Sequence, residues 1–271
     1  MTNMQWLASA LLAATVAAAP VQAAVFSAAG PDAAAIQGAV NSFRAALGAN
    51  NGVGGSFAGG RREVNWDGVP AGFSDPNALP ANFFNSNSAR GMVLSNAPGF
   101  LVSTDFTNIN AGYAGQFQTF SATKLFSSTG SPDYDVTFFI PGTAAQTTVT
   151  AFGAVFTDVE LASRTILQYF DENNVSLGQF AVPVSGNGGL SFLGVTWPGQ
   201  KVSRVRVFQG THALGANTFD DSQDQIDVVV ADDFIFDEPF NPNAESVPEP
   251  STLGFMCAGM AMVWFGRKRL Q

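Results

Sequence analysis

Apolar and polar residues alternate with a period of two in many short runs between residues 99 and 236. Clear examples are residues 99–104, 135–140 and 202–208. This alternation places one face of a β-strand against a core and the other towards solvent. Turn sequences rich in Asp, Asn and Gly separate the runs, as at residues 171–174 and 185–189. The sequence therefore predicts an all-β fold.

The strand pattern also predicts the architecture. Short strands at intervals of roughly 10–15 residues are typical of a two-sheet antiparallel sandwich, and we expect a jelly-roll-like one. Most of the 25 phenylalanines are expected to fill the space between the sheets. The sandwich domain is predicted to span residues 49–238. The predicted strands cover residues 99–104, 116–120, 135–140, 149–159, 164–170, 178–184, 190–197, 202–208 and 226–236.

One helix is predicted before the strands, within an N-terminal helical segment at residues 24–48. Ile36, Val40, Phe43 and Leu47 form an apolar stripe at spacings of three and four residues. Asp32 precedes the stripe as a helix cap and Gly48 follows it as a stop.

Composition excludes one class of partner. The net charge is −9, and the three cations at Arg267, Lys268 and Arg269 belong to the C-terminal tail, so the body alone carries about −12 (−9 minus 3). Nucleic-acid binding depends on Lys and Arg that neutralise phosphates. Nucleic acid is therefore not expected as a partner.

Residue usage also argues against an enzyme. The only cysteine is Cys257 in the tail, so the body has no disulfide, thiolate nucleophile or Cys-bound zinc. The only histidine is His212, which rules out a histidine metal cluster. The carboxylate pairs Asp133/Asp135 and Asp158/Glu160 have a spacing that a glycosidase could use. Alternate acids on a strand more often mark its solvent side, and we predict a non-catalytic protein.

Both ends of the chain carry export features. Residues 6–19 form an Ala/Leu-rich apolar run, and small residues follow at Val21 and Ala23. This pattern predicts a signal peptide at residues 1–23, cleaved by signal peptidase after Ala23 or Ala24. The first five residues contain no Lys or Arg, which departs from the usual pattern. A buried helix of the domain is the alternative interpretation.

The C-terminal residues 248–271 follow a short linker at residues 239–247. Pro248, Glu249 and Pro250 precede an apolar run at residues 253–265, which ends at Arg267, Lys268 and Arg269. At about 1.5 Å per residue the run spans roughly 20 Å, short of the ~30 Å hydrocarbon core. The basic cluster is expected to stop transfer and stay cytoplasmic.

This order of motif, apolar run and basic end resembles the PEP-CTERM sorting signal. The resemblance implies processing by an exosortase, a transient transmembrane helix, and a Gram-negative host that makes exopolysaccharide. It implies that the protein reaches the cell envelope, the outer surface or the extracellular space. A plain single-pass tail anchor is the alternative.

The body is similar to a family of uncharacterised secreted bacterial β-sandwich proteins, a resemblance that brings no established activity. The segments that carry it are residues 60–70, 79–85, 152–159 and 232–234.

Acidic residues concentrate near the end of the body. Eight of them lie between Asp220 and Glu238, with no basic residue among them. Ca²⁺ prefers six to eight oxygen ligands, so we predict a calcium site, with a solvated acidic loop as the alternative. The predicted ligands are Asp220, Asp221 and Asp224 in one loop, and Asp232 and Asp233 on the last strand with Asp67 as their partner.

These features predict an exported, non-catalytic β-sandwich that interacts with exopolysaccharide. Exposed aromatic rings stack on the apolar faces of sugars. Trp197 precedes Pro198 and Gly199 at a strand end, and is the aromatic residue expected at an exposed rim. A purely structural matrix protein is the first alternative, and a polysaccharide-cleaving enzyme is a remote one.

Overall fold

The alternating runs form β-strands in the structure, a computed structural model that describes residues 22–199 and 201–244. Thirteen strands, two α-helices and three single-turn 3₁₀ helices lie within these residues. The strands are β1 (Ala24–Gly30), β2 (Arg61–Val64), β3 (Met92–Ser95), β4 (Gly99–Ser103), β5 (Leu125–Thr129), β6 (Asp133–Phe139), β7 (Gln146–Thr147), β8 (Ala151–Thr157), β9 (Ile166–Asp171), β10 (Ser176–Ala181), β11 (Leu190–Thr196), β12 (Val202–Phe208) and β13 (Val230–Asp237). The helices are α1 (Ala33–Leu47) and α2 (Phe83–Ser86).

The strands form two antiparallel sheets. The seven-stranded sheet has the order β1-β11-β8-β13-β5-β4, and β2 pairs with the C-terminal half of β13. The six-stranded sheet has the order β10-β9-β12-β6-β3, with β7 beside β6. This arrangement confirms the prediction of a mostly β fold with two antiparallel sheets and few helices.

One apolar cluster contains side chains from both sheets, so the sheets pack face to face as a β-sandwich. Trp66 is at its centre and stacks on Phe126 with ring centroids 4.1 Å apart. The phenylalanines of this cluster are Phe83, Phe84, Phe100, Phe126, Phe138, Phe152, Phe156, Phe234 and Phe236. Phe43 and Phe192 instead lie in a second cluster on the outer face of the large sheet.

Helix α1 covers that outer face and confirms the prediction for residues 32–47. The Asp32 carboxylate caps the helix by accepting a hydrogen bond from the Ala35 N–H at 3.0 Å. The buried stripe contains Ile36, Val40 and Phe43. Phe43 can approach the sheet closely because Gly194 lies beneath it; a Cβ there would be 2.8 Å from the Phe43 ring.

Several strands were not predicted. The segment at residues 24–48 was expected to be helical only, but it begins with β1, an Ala-rich strand at the edge of the large sheet. Strands β2, β3, β5 and β7 lie outside the runs for which the sequence predicts strands. The predicted strand at residues 116–120 is wrong, because this segment is irregular: the Gln118 N–H donates to Thr157 Oγ1 and Phe117 packs into a third apolar cluster.

A buried ion pair closes the end of the sandwich where β13 finishes. Arg62 and Glu238 form a bidentate pair with N–O distances of 2.5 and 2.6 Å, and both side chains are buried. The Arg62 guanidinium also donates to the carbonyls of Gly52, Gly54 and Gly55. A glycine-rich loop thus surrounds the Arg62 cation with backbone carbonyls.

Both predicted sorting segments lie largely outside the described residues. The signal peptide is described only from Gln22, and Pro248, Glu249, Pro250, Arg267, Lys268 and Arg269 are not described at all. Of the helices that the structure describes, none combines the length and the apolar character that a bilayer crossing requires.

Candidate metal centre

Two carboxylates, those of Asp158 and Glu160, follow the end of strand β8. Thr157 is the last strand residue, and Asp158 follows with a φ of 73°, a left-handed conformation that turns the chain out of the sheet. The Asp158 carboxylate accepts hydrogen bonds from the Gly188 N–H at 2.5 Å and from Gln116 Nε2 at 2.6 Å. Its orientation is therefore fixed by two neighbouring loops.

A third carboxylate, that of Asp220, comes from the long loop between β12 and β13. Asn110 Nδ2 and the Tyr113 hydroxyl both donate to the Thr218 carbonyl at 3.0 Å and hold this loop in place. Asp220 Oδ1 accepts from the Val228 N–H at 2.7 Å. The loop thus returns Asp220 to the end of β8 from far away in the sequence.

Asp158, Glu160 and Asp220 form a compact acidic group. One oxygen of each lies within 4.8 Å of the others. Two oxygens that both bind Ca²⁺ at about 2.3–2.6 Å can be at most about 5.2 Å apart, so one ion could contact all three. Among the described residues, no other group of three or more acidic, His or Cys side chains is this close.

A fourth carboxylate, that of Asp227, binds the backbone of the segment that carries Glu160. Asp227 is fully buried, and its carboxylate accepts from the Glu160 N–H at 3.4 Å and from the Leu161 N–H at 3.0 Å. We call Asp158, Glu160, Asp220 and Asp227 the acidic centre.

The electrostatics of the acidic centre are unbalanced. Burial, together with the charges of Asp220 and Asp227, raises the pKa of Asp158 to about 6, against the opposing effect of its hydrogen bonds from Gly188 and Gln116. Burial, followed by a hydrogen bond with Asp220 and the surrounding negative charges, raises the pKa of Glu160 to about 7. Burial and Asp220 likewise raise the pKa of Asp227 to about 6. Each carboxylate opposes ionisation of the others.

No basic side chain of the described residues offsets these charges by an ion pair. The acidic partners of the Arg and Lys residues in the structure are Glu63, Asp135, Glu172, Asp233 and Glu238. The acidic centre therefore holds protons, or a cation, to relieve its repulsion.

The structure divides the acidic loop that the sequence predicted as a calcium site. Only Asp220 belongs to the acidic centre. Asp221 instead caps a 3₁₀ turn, accepting from the Gln223 N–H at 3.0 Å, and Asp224 lies exposed within that turn. Asp220, Asp221 and Asp224 do not form a compact group of three carboxylates, so the structure does not bring the predicted ligands together, and their joint binding of one ion stays a prediction.

The second predicted set is also not brought together around an ion. Asp67 accepts hydrogen bonds from the backbone N–H groups of Thr123 and Lys124. Asp232 accepts from the Phe120 and Ser121 N–H groups, and Asp233 pairs with Arg44 at 3.1 Å. Asp67, Asp232 and Asp233 do not form a compact group of three carboxylates like that of the acidic centre, and their partnership around an ion stays a prediction.

Asp232 and Asp233 lie in a β-bulge of β13, which places both carboxyls on one side of the sheet. Burial and the adjacent Asp233 charge raise the pKa of Asp232 to about 9. Burial also raises the pKa of Asp233, while the hydrogen bond from Ser121 and the charge of Arg44 oppose that rise. Unlike the acidic centre, this pair therefore has a cation of the chain beside it.

The sequence contains one signal for the acidic centre, although the sequence analysis does not predict this site. The spacing of Asp158 and Glu160 marks them as a carboxylate pair, which the sequence places on a strand face with the spacing of a glycosidase pair. The pair lies beyond the strand end, and nothing local connects it to Asp220. The second carboxylate pair of the sequence, Asp133 and Asp135, has cations of the chain beside it: Asp135 forms ion pairs with Arg204 and Arg206 at 3.1 and 2.8 Å.

Trp197 is not exposed at a rim. Only 8% of its surface is accessible, and its ring packs against Tyr169 and Phe180 with centroids 5.9 Å away. The expectation of an exposed ring is wrong, because the ring lies in the apolar cluster between the sheets and is covered by side chains of β9 and β10. Its ring presents no open face on which a sugar could stack.

Comparison with known proteins gives no match: no family model fits the chain, and neither a curated protein nor a solved structure is significantly similar to it.

Proposed function

We propose that the chain is an exported, non-catalytic protein of the cell surface or extracellular matrix, with a jelly-roll-like sandwich that binds Ca²⁺ and interacts with exopolysaccharide. The observation that carries the proposal is the acidic centre, in which the oxygens of Asp158, Glu160 and Asp220 lie within 4.8 Å of each other. Ca²⁺ supplies the positive charge that the protein does not.

Calcium suits this centre better than protons in the extracellular environment. Extracellular calcium modules bind the ion with dissociation constants of about 10⁻⁴–10⁻³ M, which match the free Ca²⁺ that they meet outside the cell. Export would therefore load the site, and the ion would hold the end of β8 and the loop before β13 together through Asp158 and Asp220.

The boundaries of the fold support export and sorting. The first strand begins at Ala24, next to the expected signal peptidase site. The last described backbone bond to the sandwich is donated by the Phe240 N–H to the Thr148 carbonyl. The folded domain thus fits between the two expected signals, with Pro248, Glu249 and Pro250 as the exosortase motif and Arg267, Lys268 and Arg269 as the membrane stop.

A structural matrix protein without a ligand is the second candidate. It is favoured by the burial of Trp66, Trp197, Tyr113, Tyr134 and Tyr169, which leaves no Trp or Tyr ring of the described residues as a sugar platform.

Calcium titration tests the proposed ion directly. Isothermal titration calorimetry of the domain is expected to show one bound Ca²⁺ for the wild type. Asp220→Asn removes a ligand and should abolish binding. Asp224→Asn is the matched control, because Asp224 is acidic, exposed and in the same loop but outside the centre. Loss of binding in both variants, or in neither, contradicts the placement of the ion.

Sorting is tested separately in a host that contains an exosortase. Mass spectrometry of the wild-type protein is expected to find an N-terminus at Ala24 or Val25 and a missing C-terminal tail. Glu249→Ala should leave the tail attached and the protein in the membrane fraction. An intact wild-type chain in the cytosol contradicts export.

A further inference from the structure

A small polar pocket opens beside the acidic centre. It has a volume of about 250 Å³ and is lined by residues 112–116, Asn187, Phe219 and Asp220. The same loops hold the acidic centre, since Gln116 donates to Asp158 and Asp220 belongs to both. A ligand in this pocket would therefore lie next to the ion.

Phe219 forms an exposed aromatic wall of the pocket. Of its surface, 60% is accessible. Its ring rests on Gly112, where a Cβ would be only 3.0 Å from the Phe219 ring. The Phe219 ring therefore offers an open aromatic face beside the polar groups that line the rest of the pocket. An aromatic face of this kind can stack on the apolar face of a pyranose ring.

The ion leaves coordination positions for a ligand. Asp158, Glu160 and Asp220 supply one close oxygen each, whereas Ca²⁺ takes six to eight. The Asp158 carboxylate is also engaged by Gly188 and Gln116, which limits the number of oxygens that it can give. Hydroxyl groups of a saccharide are suitable additional ligands, because Ca²⁺ prefers neutral and anionic oxygen donors.

Charge decides between neutral and acidic saccharides. Four carboxylates and one Ca²⁺ leave the centre negative, and the whole body is acidic. A polyanion would be repelled over the range of the surface field. A neutral sugar with vicinal hydroxyls meets no such cost.

We propose that this pocket binds one residue of a neutral polysaccharide, with the sugar ring stacked on Phe219 and two vicinal hydroxyls on the Ca²⁺ of the acidic centre. The inference rests on the proposed calcium site and names the ligand class for the proposed exopolysaccharide interaction.

The test uses soluble dextran and yeast mannan as neutral probes and polygalacturonate as the anionic probe, with binding measured by calorimetry in Ca²⁺ and in EGTA. The wild type should bind at least one neutral probe only in Ca²⁺. Phe219→Ala should weaken that binding about tenfold or more, the equivalent of losing one good contact, while its Ca²⁺ affinity is unchanged.

Phe240→Ala is the matched control, because Phe240 is 58% exposed and does not line this pocket. It should bind the probes as the wild type does. The inference is overturned if Phe219→Ala binds normally, if no neutral probe binds, or if polygalacturonate binds more tightly. Calcium titration without sugar separates the outcomes: failure there contradicts the calcium site, and failure of sugar binding alone contradicts this pocket.

Discussion

The two ends of strand β13 carry two clusters of buried charge that differ in one respect. Glu238, just after the strand, is neutralised by Arg62, and all the donors of that guanidinium are used. Asp227, just before the strand, lies among Asp158, Glu160 and Asp220 with no cation of the described residues. The negative charge of the first cluster is balanced within the chain. The negative charge of the second is relieved only by bound protons or by a cation from solution.

The comparison separates structure from function. A buried charge is costly unless it is paired and hydrogen-bonded, so a chain keeps an unpaired cluster only where a ligand, an ion or a proton relieves it. The paired cluster is expected to stabilise the folded state at any Ca²⁺ concentration. The contribution of the acidic centre to the free energy of unfolding is expected to depend on Ca²⁺ and on pH.

The largest effect is expected at the paired cluster. Arg62→Ala leaves Glu238 buried without a cation and the carbonyls of the glycine-rich loop without donors. Breaking a buried pair on one side typically costs about 3–5 kcal/mol in the free energy of unfolding. Urea denaturation measures this loss, and added Ca²⁺ should not restore it.

A double variant sharpens this prediction. Arg62→Met with Glu238→Leu removes both charges and should recover part of the stability, because the stranded carboxylate is gone. Recovery stays incomplete, since the loop carbonyls still lack their donors. If Arg62→Ala costs no more than a surface substitution, the buried pair does not stabilise the end of the sandwich.

The next effect is expected to change sign with the ion. Asp158→Asn removes one of the repelling charges, so without Ca²⁺ the variant should be as stable as the wild type or more stable. With Ca²⁺ at about 100 times its dissociation constant, the wild type should gain about 2.7 kcal/mol, and the variant should gain little. Thermal melts in Ca²⁺ and in EGTA measure both halves. A variant that is equally destabilised in both buffers would place Asp158 with the structural charges.

The sequence allowed the fold to be predicted further than the site. Helix α1 was predictable because Asp32 and Gly48 mark its ends locally, and the long strands were predictable from their alternation. Strand β1 was not, because alanine has little strand preference and only pairing with β11 makes it a strand. The acidic centre depends on contact between Asp158 and Asp220, and Trp197 is buried by β9 and β10. Such contacts leave no local pattern.

The stability of the ion-free protein should depend on pH through the acidic centre. The folded-state pKa values of Asp158, Glu160 and Asp227, about 6, 7 and 6, lie above the unfolded values near 4. The folded state therefore holds these protons more tightly, and its stability should fall as the pH rises from about 4 to 7.

Melting in EGTA across this range is expected to show a decrease on the order of a few degrees. Asp158→Asn should reduce the slope, and Asp224→Asn should leave it unchanged. A residual slope is expected from Asp237 and Asp232, whose pKa values burial raises to about 6 and about 9. Because Ca²⁺ binding requires ionised carboxylates, the gain in melting temperature on adding Ca²⁺ should increase over the same range. A pH-independent gain would argue against these carboxylates as the ligands.

The smallest effect is expected where the charges are paired but exposed. Lys201 and Glu172 lie 3.2 Å apart, and their side chains are 60% and 51% accessible. Water screens such a pair and ordering two long side chains costs entropy, so Lys201→Ala should change the free energy of unfolding by about 0–1 kcal/mol. Urea denaturation under the conditions used for Arg62→Ala provides the direct contrast. Each pair joins one positive charge to one negative charge. A much larger loss of stability in Arg62→Ala than in Lys201→Ala would therefore show that burial makes the Arg62 pair the more stabilising one. Equal losses in the two variants would contradict this effect of burial.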